Sequence, residues 1–124
     1  AGAHDDLSEE ADRCSRQVVA LRNATEHLLR SHGRAVQERQ GSLKRLADAA
    51  ADIYAQIATI SRVSDVIEGN DSGYGDEVMI ARVFCRRAAD RVDRALGNID
   101  ADDVQPFYEV AEAVYQRQQY GHSI

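Results

Sequence analysis

Four histidines, two cysteines and a dense set of carboxylates are the groups in this chain that could do chemistry, and their spacing decides which chemistry is open. His4, His27, His32 and His122 are scattered over the start, one helical segment and the tail, and no Glu-x-x-His pair occurs. The inward-facing carboxylate and imidazole ligands of a helical di-iron centre are therefore missing. Cys14 and Cys85 stand 71 positions apart, which fits neither a metal-ligand spacing nor a disulfide framework, so both read as reduced, buried small hydrophobes. Haem attachment through Cys-x-x-Cys-His and glycine-rich phosphate loops are absent. Ser31-His32 and His27 lie close in sequence but have no elbow turn and no acid partner that would make a nucleophile. No catalytic, cofactor-binding or metal-ligating residue is expected in these 124 residues.

Composition narrows the class. A chain of 124 residues can bury a single core without metals or disulfides, and 44% hydrophobic with 29% charged residues is the profile of a folded, helix-rich domain. A net charge of -6 disfavours nucleic acid and anionic lipid surfaces, which require clustered positive charge. No apolar run approaches the roughly twenty residues that span a bilayer, and Ala1-Gly2-Ala3-His4 lacks the regions of a signal peptide. Reduced cysteines then point to a cytoplasmic compartment, and Ala1 without a preceding Met points to an excised or processed chain.

The elements follow from periodicity. Leu7, Ala11, Cys14, Val18, Leu21, Thr25, Leu28 and His32 form one helical stripe, capped by Asp6 or Ser8 and stopped near Gly33. Leu43, Leu46, Ala50, Ile53, Ile57, Ile60, Ser64 and Ile67 form a second stripe that ends in the turn formers from Gly69 to Gly73, with its start open between Arg34 and the residues after Gly41. Asp76 is placed to cap a third helix carrying Val78, Ala81, Cys85, Ala88, Val92 and Leu96, closing at Gly97-Asn98. A fourth begins near Asp102 or Asp103, accommodates Pro106 in its first turn, and presents Val104, Phe107, Ala111 and Val114. The expected fold is all-α, an antiparallel up-down-up-down four-helix bundle over residues 1–124.

Helices two and three carry apolar residues off these stripes. Met79, Ile80, Val83 and Phe84 fall away from the Cys85 stripe, and Val63 and Val66 fall away from the Ile57 stripe. These six form a candidate docking surface, since a monomeric bundle has nothing to cover them; a wider core is the alternative. Arg82, Arg86, Arg87, Arg91 and Arg94 give helix three a basic flank that could receive an acidic neighbour domain or phosphates, but with Asp76, Glu77, Asp90 and Asp93 interspersed it is read as a solvated, ion-paired face. Tyr74 is either an anchor on the bundle end or a partner contact.

The wording of Arg45-Leu46-Ala47-Asp48-Ala49-Ala50-Ala51-Asp52-Ile53-Tyr54-Ala55-Gln56, continuing through Ser61-Arg62-Val63-Ser64, is more specific than an amphipathic helix requires. It resembles the C-terminal helical extension of very-long-chain-type acyl-CoA dehydrogenases, as do Leu7-Ser8, His32-Gly33 through Leu43, Val83-Phe84-Cys85-Arg86-Arg87-Ala88-Ala89 and the last helix, in the same order. The resemblance implies a non-catalytic C-terminal domain of an enzyme that oxidises fatty acyl thioesters with FAD held in upstream domains. It implies packing on that dehydrogenase core and support of a homodimer. A bacterial cytoplasmic parent is expected, with peripheral membrane association of the parent left open. Two other classes stand beside it. One is a free-standing interaction bundle; the other is a histidine phosphotransfer domain centred on His27, against which Glu26 and Ser31 stand where a small residue and a Gly are favoured.

Overall fold

In the computed structural model, residues 5–69, 73–101 and 113–118 are described. A 3-10 turn, Asp5–Leu7, leads into α1 (Ser8–His32); a longer 3-10 segment, Gly33–Glu38, connects it to α2 (Gln40–Glu68), and α3 spans Gly75–Gly97. Residues 113–118 are also helical, and no strand occurs among the described residues. The chain is all-helical as expected. The expected start of the fourth helix, with Val104, Pro106, Phe107 and Ala111, lies outside the described residues.

Helix boundaries follow local chemistry, with some differences from expectation. α1 stops because Gly33 takes φ +55°, a left-handed conformation that glycine adopts without penalty. The N-cap positions are Leu7 and Tyr74, and neither forms a side-chain capping bond, so the N-caps are not Asp6, Ser8 or Asp76 as anticipated. Asp5, Asp6, Asp76 and Glu77 instead place negative charge in or just before first turns, where it favours the helix dipole. α2 begins at Gln40, because Arg39 departs from helical geometry and the preceding turn is 3-10. Its 29 residues extend about 43 Å.

Polar contacts between the helices fix how the three run. Arg82 meets Asp6 and Glu10, Gln17 meets Ala89 and Asp93, and His27 meets Asp100, so α1 and α3 are parallel. Arg91 meets Asp52 while Ser42 meets Ile99, so α2 is antiparallel to α3. The core between them comprises Leu7, Cys14, Ala49, Ile53, Ile60, Ile67, Val78, Ala81, Cys85 and Val92, with Ala11, Leu21, Val63, Tyr74, Ala95 and Leu96 packed at its edge. Tyr74 is therefore an anchor on the bundle end.

The expected stripes hold in most positions, with departures at one place on α1 and three on α2. Val18 on α1 and Leu43, Ala50 and Ile57 on α2 are exposed, while Gln17, Ala49 and Gln56 are buried. The cause is a polar node. Gln56 Nε2 donates to Gln17 Oε1 at 3.0 Å, and Gln17 Nε2 donates to the Ala89 carbonyl and to Asp93 Oδ1, each at 2.8 Å. Buried amides are tolerated only when bonded, and these are, so the glutamines occupy the helix-facing positions and turn their apolar neighbours outward. Cys14 and Cys85 are free and buried beside this node. Burial pushes both thiols up, Cys85 to about 11 with help from the nearby Glu10 and Cys14, so both stay protonated.

A second polar cluster holds the turn after α3. Ser42 Oγ donates to the Ile99 carbonyl at 2.6 Å, and Arg39 and Arg45 donate to the carbonyls of Asp100 and Ala101. His27 Nε2 lies 2.6 Å from Asp100 Oδ1. Arg39, Ser42 and Arg45 thus grip three consecutive carbonyls while His27 of α1 holds the Asp100 side chain, and together they fix the turn after α3.

Replacing Gln56 by Leu leaves the Gln17 acceptor buried and unpaired, and should lower stability by about 1–3 kcal/mol. A double-mutant cycle with Gln17→Leu should show strong non-additivity, because either change alone breaks the same bond; additive losses in denaturant melts would contradict the node. Asp93 supplies a second expectation. Partial desolvation raises its pKa, but hydrogen bonds from Arg13 and Gln17 outweigh that and hold it below the ordinary carboxylate value. Its contribution is therefore present above that value and lost as pH falls through the folded one, in a window below about pH 4. Asp93→Asn should flatten the acid limb of a stability-versus-pH curve, and an unchanged limb would contradict this.

Candidate docking surface

The inner side of α3 is fixed from two directions. Toward α1, Arg13 Nη2 reaches Asp90 at 2.9 Å and Asp93 at 2.7 Å, and Arg82 lies 3.7 Å from Glu10. Toward α2, the Arg91 guanidinium makes paired bonds to Asp52 at 3.0 and 3.1 Å. Val78, Ala81, Cys85, Ala88, Ala89 and Val92 fill the space between. With both flanks engaged, the remaining side of α3 faces outward.

That side carries large apolar residues. Met79 is 66% exposed, Ile80 68%, Val83 44% and Phe84 38%. They fall within six positions at i, i+1, i+4 and i+5, which gathers them in one patch over the second and third turns of α3. Of the other two anticipated members, Val66 is 37% exposed at the end of α2, whereas Val63 is half-buried against the core. The structure therefore gathers the α3 quartet on one stretch of helix, leaves Val66 exposed on α2, and assigns Val63 to the core edge.

Exposed apolar residues also occur on α1 and α2, namely Val18, Val19, Leu29, Leu43, Tyr54 and Ile57, several displaced outward by the glutamine node. The basic flank of α3 divides into two sets. Arg82 and Arg91 are ion-paired, but across to Glu10 and Asp52 on other helices rather than, as expected, with the acids of α3 itself, whereas Arg86, Arg87 and Arg94 form no side-chain ion pair among the described residues. His27 is half exposed with Nε2 committed to Asp100. Among the described residues no group of three His, Cys, Asp or Glu side chains is placed to hold a metal, and no helix is long and apolar enough to cross a membrane.

These features define a class: an all-helical module whose polar contacts orient its helices and whose third helix turns an apolar patch outward. The sequence matches the family described as "ACAD9/ACADV, C-terminal domain" over residues 5–120, and the chain belongs to that family. It is similar to the very long-chain specific acyl-CoA dehydrogenase, mitochondrial, of Homo sapiens, with 26% identity over 119 residues, covering 92% of this chain and 18% of the relative. The Macaca fascicularis protein of the same name is 25% identical over 119 residues with the same coverage. That of Rattus norvegicus is 26% identical over 102 residues, covering 82% of this chain and 16% of the relative. The chain thus spans less than a fifth of these relatives.

Outward apolar side chains cost roughly 25 cal/mol per Å² of exposed apolar area, which self-association of the isolated chain would offset. Changing Val83 and Phe84 together to Ser should leave helicity and melting nearly unchanged while shifting sedimentation toward monomer. Loss of several kcal/mol of stability, the response of a core position, would place these residues in the core instead.

Proposed function

We propose that this chain is the C-terminal helical domain of an FAD-dependent acyl-CoA dehydrogenase of fatty acid β-oxidation, that it carries none of the chemistry, and that it packs on the dehydrogenase domains and supports homodimer assembly. The observation that carries this reading is the family match over residues 5–120, on relatives named as very long-chain specific acyl-CoA dehydrogenases of which the chain covers only 18%. The outward patch of Met79, Ile80, Val83 and Phe84 supports it, because a domain attached to a larger protein has a surface on which to bury that patch.

In this reading the fold is completed by a fourth helix over roughly residues 102–121, antiparallel to α3, giving an up-down-up-down bundle. The clamp on Ile99, Asp100 and Ala101 supports that path, since it ties the exit of α3 to the start of α2. FAD belongs to the upstream domains, where the cofactor performs the redox chemistry; the 124 residues hold it in place only indirectly, through domain packing. The parent is taken to act in a bacterial cytoplasm. A phosphotransfer role for His27 is disfavoured by Asp100, whose carboxylate sits on Nε2 and would repel an incoming phosphoryl group.

The test compares the 124-residue chain with the full-length protein. The full-length protein should bind FAD and reduce an electron acceptor with palmitoyl-CoA, and the chain alone should do neither. Flavin absorbance in the purified chain, or a full-length protein without acyl-CoA oxidation, would contradict the proposal.

A further inference from the structure

We propose that the surface receiving α3 is an apolar patch edged by a carboxylate of the upstream part of the same protein, and that Arg87 pairs with that carboxylate. The inference rests on the docking reading above and adds the chemistry of the partner. Arg87 lies four positions after Val83, three after Phe84 and seven after Ile80, so it continues the outward apolar stripe by one turn. It is exposed, and its guanidinium has no hydrogen bond or ion pair among the described residues.

Arg86 and Arg94 are likewise unpaired among the described residues, but of the three only Arg87 stands at the i+3 and i+4 steps from Phe84 and Val83, and the arginines at the helix interfaces are paired. Arg13, Arg82 and Arg91 each reach a carboxylate on another helix. The carboxylate three positions after Arg87, Asp90, is taken by Arg13 at 2.9 Å, and Asp93 is held by Arg13 and Gln17. The chain has 21 acidic against 15 basic residues, yet the guanidinium at the end of its apolar patch goes unmatched. Docking the quartet would carry Arg87 out of water with it. A desolvated guanidinium without an anion is costly, so a surface that accepts the quartet must offer one, and the planar fork matches a carboxylate with two parallel bonds. The apolar residues set the area; the charge pair sets the register.

The occupant is the upstream part of the protein because the matched relatives extend far beyond the segment this chain covers. A two-fold pairing of this face with a second copy would set Arg87 near Asp76 at the other end of the patch, so that arrangement is the competing occupant that the crosslink must separate from the upstream part.

The test uses the full-length protein carrying Arg87→Lys and a carbodiimide, which joins an amine to a carboxylate only in direct contact. Background is low because Lys44 is the only lysine in residues 1–124 and is itself held by Asp48. Mass spectrometry should find position 87 joined to an Asp or Glu upstream of this chain, and adding Val83→Ser with Phe84→Ser should reduce that product at least about tenfold. Arg87→Glu should shift full-length dimer toward monomer, as the Val83→Ser, Phe84→Ser pair does. A crosslink only to residues within 1–124 of a second copy would overturn the choice of occupant. If Arg87→Lys gives no crosslink and Arg87→Glu instead abolishes sedimentation with phosphatidylglycerol vesicles, a lipid surface replaces the carboxylate. If the Val83, Phe84 pair releases the dimer while position 87 neither crosslinks nor matters, the charge pair falls and the docking reading stands. If the Val83, Phe84 pair also has no effect, the docking reading falls with it.

Discussion

The buried bond between Gln17 and Gln56 is the contact on which the arrangement of the three helices turns. Hydrophobic burial brings amphipathic helices together but is non-directional and tolerates sliding and rotation. A pair of amides that must be satisfied inside the core does not, because a shift by one position leaves a donor or acceptor unpaired at about 1–3 kcal/mol. Here Gln17 of α1 accepts from Gln56 of α2 and donates to the Ala89 carbonyl and Asp93 of α3, so one side chain sets the mutual position of all three helices.

From this node the surface of α3 follows. Once Ala89 and Asp93 are fixed toward α1, Arg91 is directed to Asp52 on the other flank, and Met79, Ile80, Val83 and Phe84 have no inward position left. The flanking ion pairs are largely exposed, and pairs of that kind contribute about 0–1 kcal/mol each, so most of the stability comes from the packed stripe of Val78, Ala81, Cys85, Ala88 and Val92. The pairs act mainly on orientation. Core packing supplies the energy; the polar contacts choose the rotation, and the rotation exposes the patch.

How much of this could be read from the sequence depended on which residue types carried the pattern. The inner stripe of α3 was legible except for Ala89 because it is entirely apolar, and the outward quartet was legible by subtraction. α1 and α2 were legible as helices with most of their inner stripes, but counting only apolar residues puts Val18 and Ile57 inward where Gln17 and Gln56 sit. A signal was present: Gln17 falls between Cys14 and Leu21, and Gln56 between Ile53 and Ile60, at the three- and four-residue steps of a core stripe. The caps were misassigned because acidic residues near a helix start can serve the dipole without bonding the backbone. Family membership was legible over nearly the whole length, as it rests on residue wording and not on pattern. The chemistry of a partner surface was not, because its residues lie outside this chain.

The central claim, that the outer side of α3 is covered by the rest of the protein, is tested most directly by hydrogen exchange of residues 79–84 in the full-length protein and in the 124-residue chain, with the buried residues 88–92 as internal reference. The account predicts exchange at 79–84 at least about tenfold slower in the full-length protein, a factor that corresponds to about 1.4 kcal/mol of added protection, with little change at the reference. Equal exchange at 79–84 in the two proteins would contradict it.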